Sequence, residues 1–86
     1  MESATIKERI EATVPDSEAE VTGDGSHFEA VVVSPAFEGV SKVKRQQMVY
    51  KAVNEAITSG ELHALTIQAH TPDEWERARK LRVTSG

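Results

Sequence analysis

Glu18-Ala19-Glu20-Val21-Thr22-Gly23-Asp24-Gly25-Ser26-His27-Phe28-Glu29-Ala30-Val31-Val32-Val33-Ser34 is the stretch on which the fold turns. Its middle, Thr22 to Ser26, is dense in turn-forming residues. A short, polar-leaning run, Glu18 to Thr22, precedes it. Phe28 to Ser34 follows, with three β-branched valines in a row. Two such runs around a glycine-rich turn predict a β-hairpin. The valine triplet predicts a strand covered on both faces for part of its length.

Upstream of the hairpin, Ile6, Ile10 and Val14 recur every four residues. That spacing lays one apolar stripe along a helix, predicted from Ser3 to Val14 and ended by Pro15. Thr5 and Glu8 can form its capping box, with Ser3 as a competing cap. Downstream, Pro35 and Gly39 interrupt regular structure. A second helix is predicted from Ser41 to Ser59, with Val49, Ala52, Val53, Ala56 and Ile57 on its core face and Gly60 as its stop. Leu62 to Ala69 alternates, with Leu65, Ile67 and Ala69 facing one way and Thr66 and Gln68 the other, which predicts a strand. Thr71-Pro72-Asp73-Glu74 reads as an N-cap, a first-turn proline and a capping-box acid. Trp75 and Ala78 begin the buried face of the helix that follows, predicted to run to about Leu81, with Arg82 to Gly86 frayed. The order α-β-β-α-β-α predicts a single α+β domain over residues 1–86, with a three-stranded mixed sheet and helices on one face.

Eighty-six residues make a thin core and leave little room for a deep pocket. The chain has no cysteine, so packing alone holds the fold. The first residues carry no basic segment followed by an apolar run, and no apolar run approaches a membrane span. The expectation is a cytoplasmic protein with no membrane partner. Net charge is −4, unevenly spread: residues 1–38 carry two basic and nine acidic residues, and residues 39–86 carry eight basic and five acidic. The overall acidity argues against a dedicated nucleic-acid binder, while the basic second half allows a local patch.

Chemistry-bearing patterns are few. There is no thiol nucleophile, no nucleophile elbow and no phosphate loop. Gly23-Asp24-Gly25 lacks the third glycine and the following helix of a dinucleotide fingerprint. These absences predict a protein that is not an enzyme. None of the three histidines forms a His-x-x-x-His pair. Read from the residues alone, His27 is a turn residue or a ligand, and His63 is a strand-edge or core histidine or a ligand. Lys42, Lys44, Arg45 and Lys51 form a basic cluster, read either as a solvated helix flank or as a contact surface for phosphate or an acidic partner.

Three motifs together resemble the BolA-like family. They are Gly23-Asp24-Gly25-Ser26-His27-Phe28, then Phe37-Glu38-Gly39-Val40-Ser41 with Lys42 to Tyr50, and Leu62-His63-Ala64-Leu65 leading into Ala69-His70-Thr71-Pro72-Asp73-Glu74-Trp75. The resemblance covers nearly the whole chain. Arg45-Gln46-Gln47 stands where many members have Arg-His-Arg, and this form resembles the IbaG branch. The resemblance implies a fold like the type II KH domain. It also implies a monothiol glutaredoxin partner, with glutathione, and a shared [2Fe–2S] cluster. It places the family's most characteristic ligand at His63 and the second, in the hairpin, at His27. His70 falls where the family varies and receives no role.

Such a cluster needs four ligands, and imidazoles can replace two thiolates on one iron. Without a thiol this chain holds no cluster alone. Imidazole ligation needs neutral nitrogens, so the bridge weakens as pH falls toward about 6. Alone, the chain is expected to be a monomer or a weak homodimer. Two other readings stand beside the adaptor. One is a KH-like, DNA-binding transcriptional regulator linked to stress, although no Gly-x-x-Gly loop joins two helices here. The other is an interaction module with no metal role.

Overall fold

The computed structural model describes residues 2–24 and 27–85, with side chains described as far as Lys80. Helix α1 (Ser3–Thr13) buries Ile6 and Ile10, as their spacing requires. Its cap differs from both sequence candidates. The N-cap is Glu2, which makes no side-chain capping bond, and its carbonyl accepts from the Thr5 and Ile6 amides. Ser3 and Thr5 already lie inside the helix, so neither has the extended backbone a capping side chain needs. Val14 is extended, as a residue before proline should be, and closes the helix.

Strands β1 (Glu18–Gly23) and β2 (His27–Val33) form the antiparallel hairpin. Gly25 and Ser26, at the predicted turn, lie outside the described residues. Phe28, Ala30 and Val32 point into the core, while Val31 and Val33 are half-buried on the opposite face. A 3₁₀ turn (Pro35–Phe37) follows, capped by the buried Ser34, whose hydroxyl donates to the Pro15 carbonyl and accepts from the Ala36 amide.

Helix α2 (Lys42–Ser59) begins at Ser41, whose hydroxyl accepts from the Lys44 amide, and ends at Gly60 in the left-handed region (φ 84°). Its buried row is Arg45, Val49, Val53 and Ala56. Ile57, expected in the core, is 37% exposed, because it lies at the margin of that row. Strand β3 (Ala64–His70) pairs parallel to β2, so the sheet order is β1-β2-β3. Parallel pairing needs a long crossover, and α2 supplies it. Thr71 and Glu74 then form the expected capping box: the Thr71 hydroxyl accepts from the Glu74 amide and the Glu74 carboxylate from the Thr71 amide. Helix α3 (Pro72–Ser85) continues past the expected end at Leu81. Gly86 lies outside the described residues.

Helices α1 and α2 pack on one face of the sheet, where Ile6, Ile10, Phe28, Val32, Val49 and Val53 form the centre of the core. Helix α3 touches chiefly β3, and its Trp75 lines a groove beside Val31 and Val33 of the opposite face. Side chains seal parts of both outer edges of the sheet. On β1, the Glu11 carboxylate accepts from the Ala19 amide while Lys7 donates to the Ala19 carbonyl. On β3, Tyr50 donates to the Leu65 carbonyl, Gln46 to that of Ile67 and Arg45 to that of Ala69.

Candidate functional site

His27 opens β2, and two contacts with Asp24 hold its backbone. Its amide donates to the Asp24 carboxylate at 3.0 Å, and its carbonyl accepts from the Asp24 amide at 3.3 Å. The next residue, Phe28, is buried and anchors the strand end. His63 lies between two other fixed points. Leu62 before it is 1% exposed, with its amide donating to the Ala56 carbonyl, and Ala64 after it opens β3. The parallel register pairs His27 with Ala64. His63, the residue before β3, therefore lies next in the chain to the partner of His27 at one end of the sheet, where β2 and β3 run about 4.8 Å apart. Both are exposed.

His70 is kept apart from them. It closes β3 at the opposite end of the strand, paired with Val33. Its ring is half-buried, 3.5 Å from the Gln68 amide oxygen and 5.6 Å from the Trp75 ring. Burial lowers its pKa below the ordinary value of 6.5; Glu74 opposes that shift, and Arg45 and Lys42 add to it.

The basic cluster is divided. Lys42, Lys44 and Lys51 are exposed on α2. Arg45 is not part of that surface: it is 7% exposed, and its guanidinium donates to the Val40 carbonyl, the Ala69 carbonyl and both oxygens of Glu74. Its ring-face contact with Phe37, at 5.8 Å, completes an inward setting. An arginine reads as a surface residue by type, and that type concealed its place in the buried row. The available signal was spacing, since Arg45 stands four and eight residues before Val49 and Val53. Gln46 was likewise legible only as part of a motif. Its role is to satisfy β3.

Glu74 takes both the capping and the ion-pair roles, and its pKa falls from 4.5 to about 2. The Arg45 hydrogen bonds are the main cause, followed by the Thr71 amide. Among the described residues no three His, Cys, Asp or Glu side chains gather as a metal site, and no helix is long and apolar enough to cross a membrane. What the chain offers for coordination chemistry is two exposed histidines whose backbone lies at neighbouring strand ends.

The fold and these motifs have relatives. The family model described as BolA-like protein matches residues 4–74, and the chain belongs to that family. Its place is in the IbaG-type branch: it is 43% identical to acid stress protein IbaG of Escherichia coli (strain K12) over 81 residues, covering 94% of this chain and 96% of that one. Among solved structures, a BolA protein homologue from Coxiella burnetii superposes with a TM-score of 0.77 at 39% identity, covering 88% of this chain and 97% of that one. The BolA domain of SufE1 from Arabidopsis thaliana gives 0.72 at 36% identity, covering 86% and 98%.

Proposed function

We propose that this protein is a non-enzymatic adaptor of iron–sulfur metabolism that binds a monothiol glutaredoxin and shares a [2Fe–2S] cluster with it through His63 and His27. The observation that supports this reading is the β2–β3 register, which brings the backbone of two exposed residues, His27 and His63, to neighbouring strand ends. A pair of imidazoles suits one iron of such a cluster, and a chain without cysteine must find the remaining sulfur ligands elsewhere. The partner and glutathione would supply them. The cluster would bring electron-transfer capacity at a raised potential. The contribution of this chain is to present two exposed histidines next to strand ends anchored by Phe28 and Leu62. Membership of a branch that includes an acid stress protein favours a role in the acid response.

The test is anaerobic assembly of the protein with a monothiol glutaredoxin, glutathione, iron and sulfide, followed by visible absorption and circular dichroism. A spectrum distinct from that of the glutaredoxin alone is expected, and His63→Ala should abolish it. An identical spectrum with and without this protein would overturn the adaptor reading.

The regulator reading retains one supporting observation, the exposed Lys42, Lys44 and Lys51 on α2. It loses Arg45, which is committed inside the fold. Phosphate contacts by these lysines would give steep salt dependence, with a log–log slope of about 0.9 per contact on duplex DNA. Absence of binding at low salt would dispose of it.

A further inference from the structure

One face of the sheet is layered by α1 and α2; on the other, α3 reaches the strands through Trp75, which stands beside Val31 and 5.6 Å from the His70 ring. The rows of this second face, read across the strands, are Glu18–Val33–His70, Glu20–Val31–Gln68 and Thr22–Glu29–Thr66. Val31 and Val33 lie half-exposed in the middle. With Trp75 they line a groove of about 340 Å³ that also includes Glu11, Glu18, Glu20 and Lys7, the last held by Glu11 and the Ala19 carbonyl. Glu29 stands on the far side of Val31, beside Trp75 in an adjoining groove. The face thus has an apolar floor and an acidic rim.

The flank of α2 has the opposite character. Val43, Tyr50 and Ile57 are 68%, 38% and 37% exposed and recur every seven residues, so they form one stripe along the helix. Lys44 and Lys51 follow the first two by one residue each, about 10.5 Å apart along the axis. The Tyr50 hydroxyl is tied to the Leu65 carbonyl, which holds this stripe beside the outer edge of β3.

We propose that these two surfaces are complementary halves of one interface, with the α2 flank of a second copy laid along this face of the sheet, in the groove beside Trp75. A helix with an apolar stripe is the element that covers a sheet face in layered domains. Here its lysines would meet the glutamates of the rim. The two surfaces lie on different parts of the molecule, so one copy cannot pair them within itself. The contact joins two unlike surfaces, each copy keeping one half free after a single contact, and we take association to continue head to tail from there. Its charged pairs are exposed, so the contact is weak and sensitive to salt.

Trp75 is the sole tryptophan and lines the floor of the accepting groove, so its emission reports occupancy directly. The test is sedimentation velocity and tryptophan fluorescence of the full chain over a concentration series at low and high ionic strength. The expected result is species larger than a dimer at low ionic strength, with a blue shift of Trp75 emission, both lost in high salt. Lys51→Glu and Val43→Asp, on the α2 flank, and Glu20→Lys, on the rim, should each weaken association on the order of tenfold or more. Far-UV circular dichroism confirms that each variant is folded. Loss of the Trp75 shift in the two α2 variants is diagnostic, because neither residue lines the Trp75 groove. A protein that stays monomeric at every concentration overturns the proposal. So does association that leaves Trp75 emission unchanged or ignores Lys51→Glu, the outcome expected if another surface were joining the copies.

Discussion

Arg45 and Glu74, 29 residues apart, are joined at two points, 2.6 Å from Nη1 to Oε1 and 3.3 Å from Nη2 to Oε2. The same guanidinium holds the Ala69 carbonyl at 3.2 Å, so a single side chain ties α2, the end of β3 and the start of α3. Arg45→Ala should destabilise the protein by roughly 2–4 kcal/mol, the lower end applying because the Glu74 side chain is 44% exposed. Arg45→Lys should recover part of this, since a lysine cannot make the two-point contact. A denaturant midpoint lowered at constant slope is the expected reading.

Acid should act on the fold in two steps. The folded-state pKa of His70 lies below 6.5, chiefly through burial. Its contribution is present above that value and is lost as pH falls below it. Glu74 is depressed from 4.5 to about 2, so its contribution holds above 4.5 and is lost between 4.5 and 2. Denaturation measured from neutral pH downward should therefore show an upper slope that His70→Phe flattens and a lower one that Glu74→Gln flattens.

Gly23 faces Phe28 across the hairpin. A Cβ there would stand 2.5 Å from the His27 carbonyl oxygen and 2.9 Å from the Phe28 Cα, both backbone atoms. Gly23→Ala should cost about 1–3 kcal/mol and displace His27, weakening any ligation through it. Gly60→Ala meets no atom within 4 Å and bears only the left-handed backbone, at about 1 kcal/mol. Comparing the two in stability and cluster assembly separates site geometry from general destabilisation.

The three histidines should differ in cluster chemistry. His63→Ala is expected to abolish the shared-cluster spectrum and His27→Ala to alter it. His70→Ala should leave it intact, because His70 sits at the other end of β3. Parallel loss in all three would indicate a structural effect and not ligation.

Local signals made much of this fold legible. Proline at 15, glycine at 60 and the Thr71–Glu74 box mark element ends by chemistry confined to a few residues, and each ends or caps its helix as read. The first helix shows the limit of such signals. Thr5 and Glu8 have the right types and spacing, yet the chain is already helical there. Arg45 shows another limit. Its burial depends on three acceptors from Val40, Ala69 and Glu74, which only the folded chain brings together. The nearness of His27 and His63 belongs to the same class. Each was legible as a candidate, but their placement as neighbours comes from parallel pairing across a crossover, which local patterning does not specify.

The sealing of the β3 carbonyls bears on how this chain behaves when crowded. An exposed strand edge is a template on which another chain can add a strand and start an aggregate. Here an incoming strand would have to displace Tyr50, Gln46 and Arg45 from Leu65, Ile67 and Ala69 before it could find those acceptors. Lys7 and Glu11 guard Ala19 on the other side in the same way. A three-stranded sheet has two edges and little core to spare. Long polar side chains borrowed from its helices keep those edges from nucleating amyloid-like growth, at no cost in apolar residues.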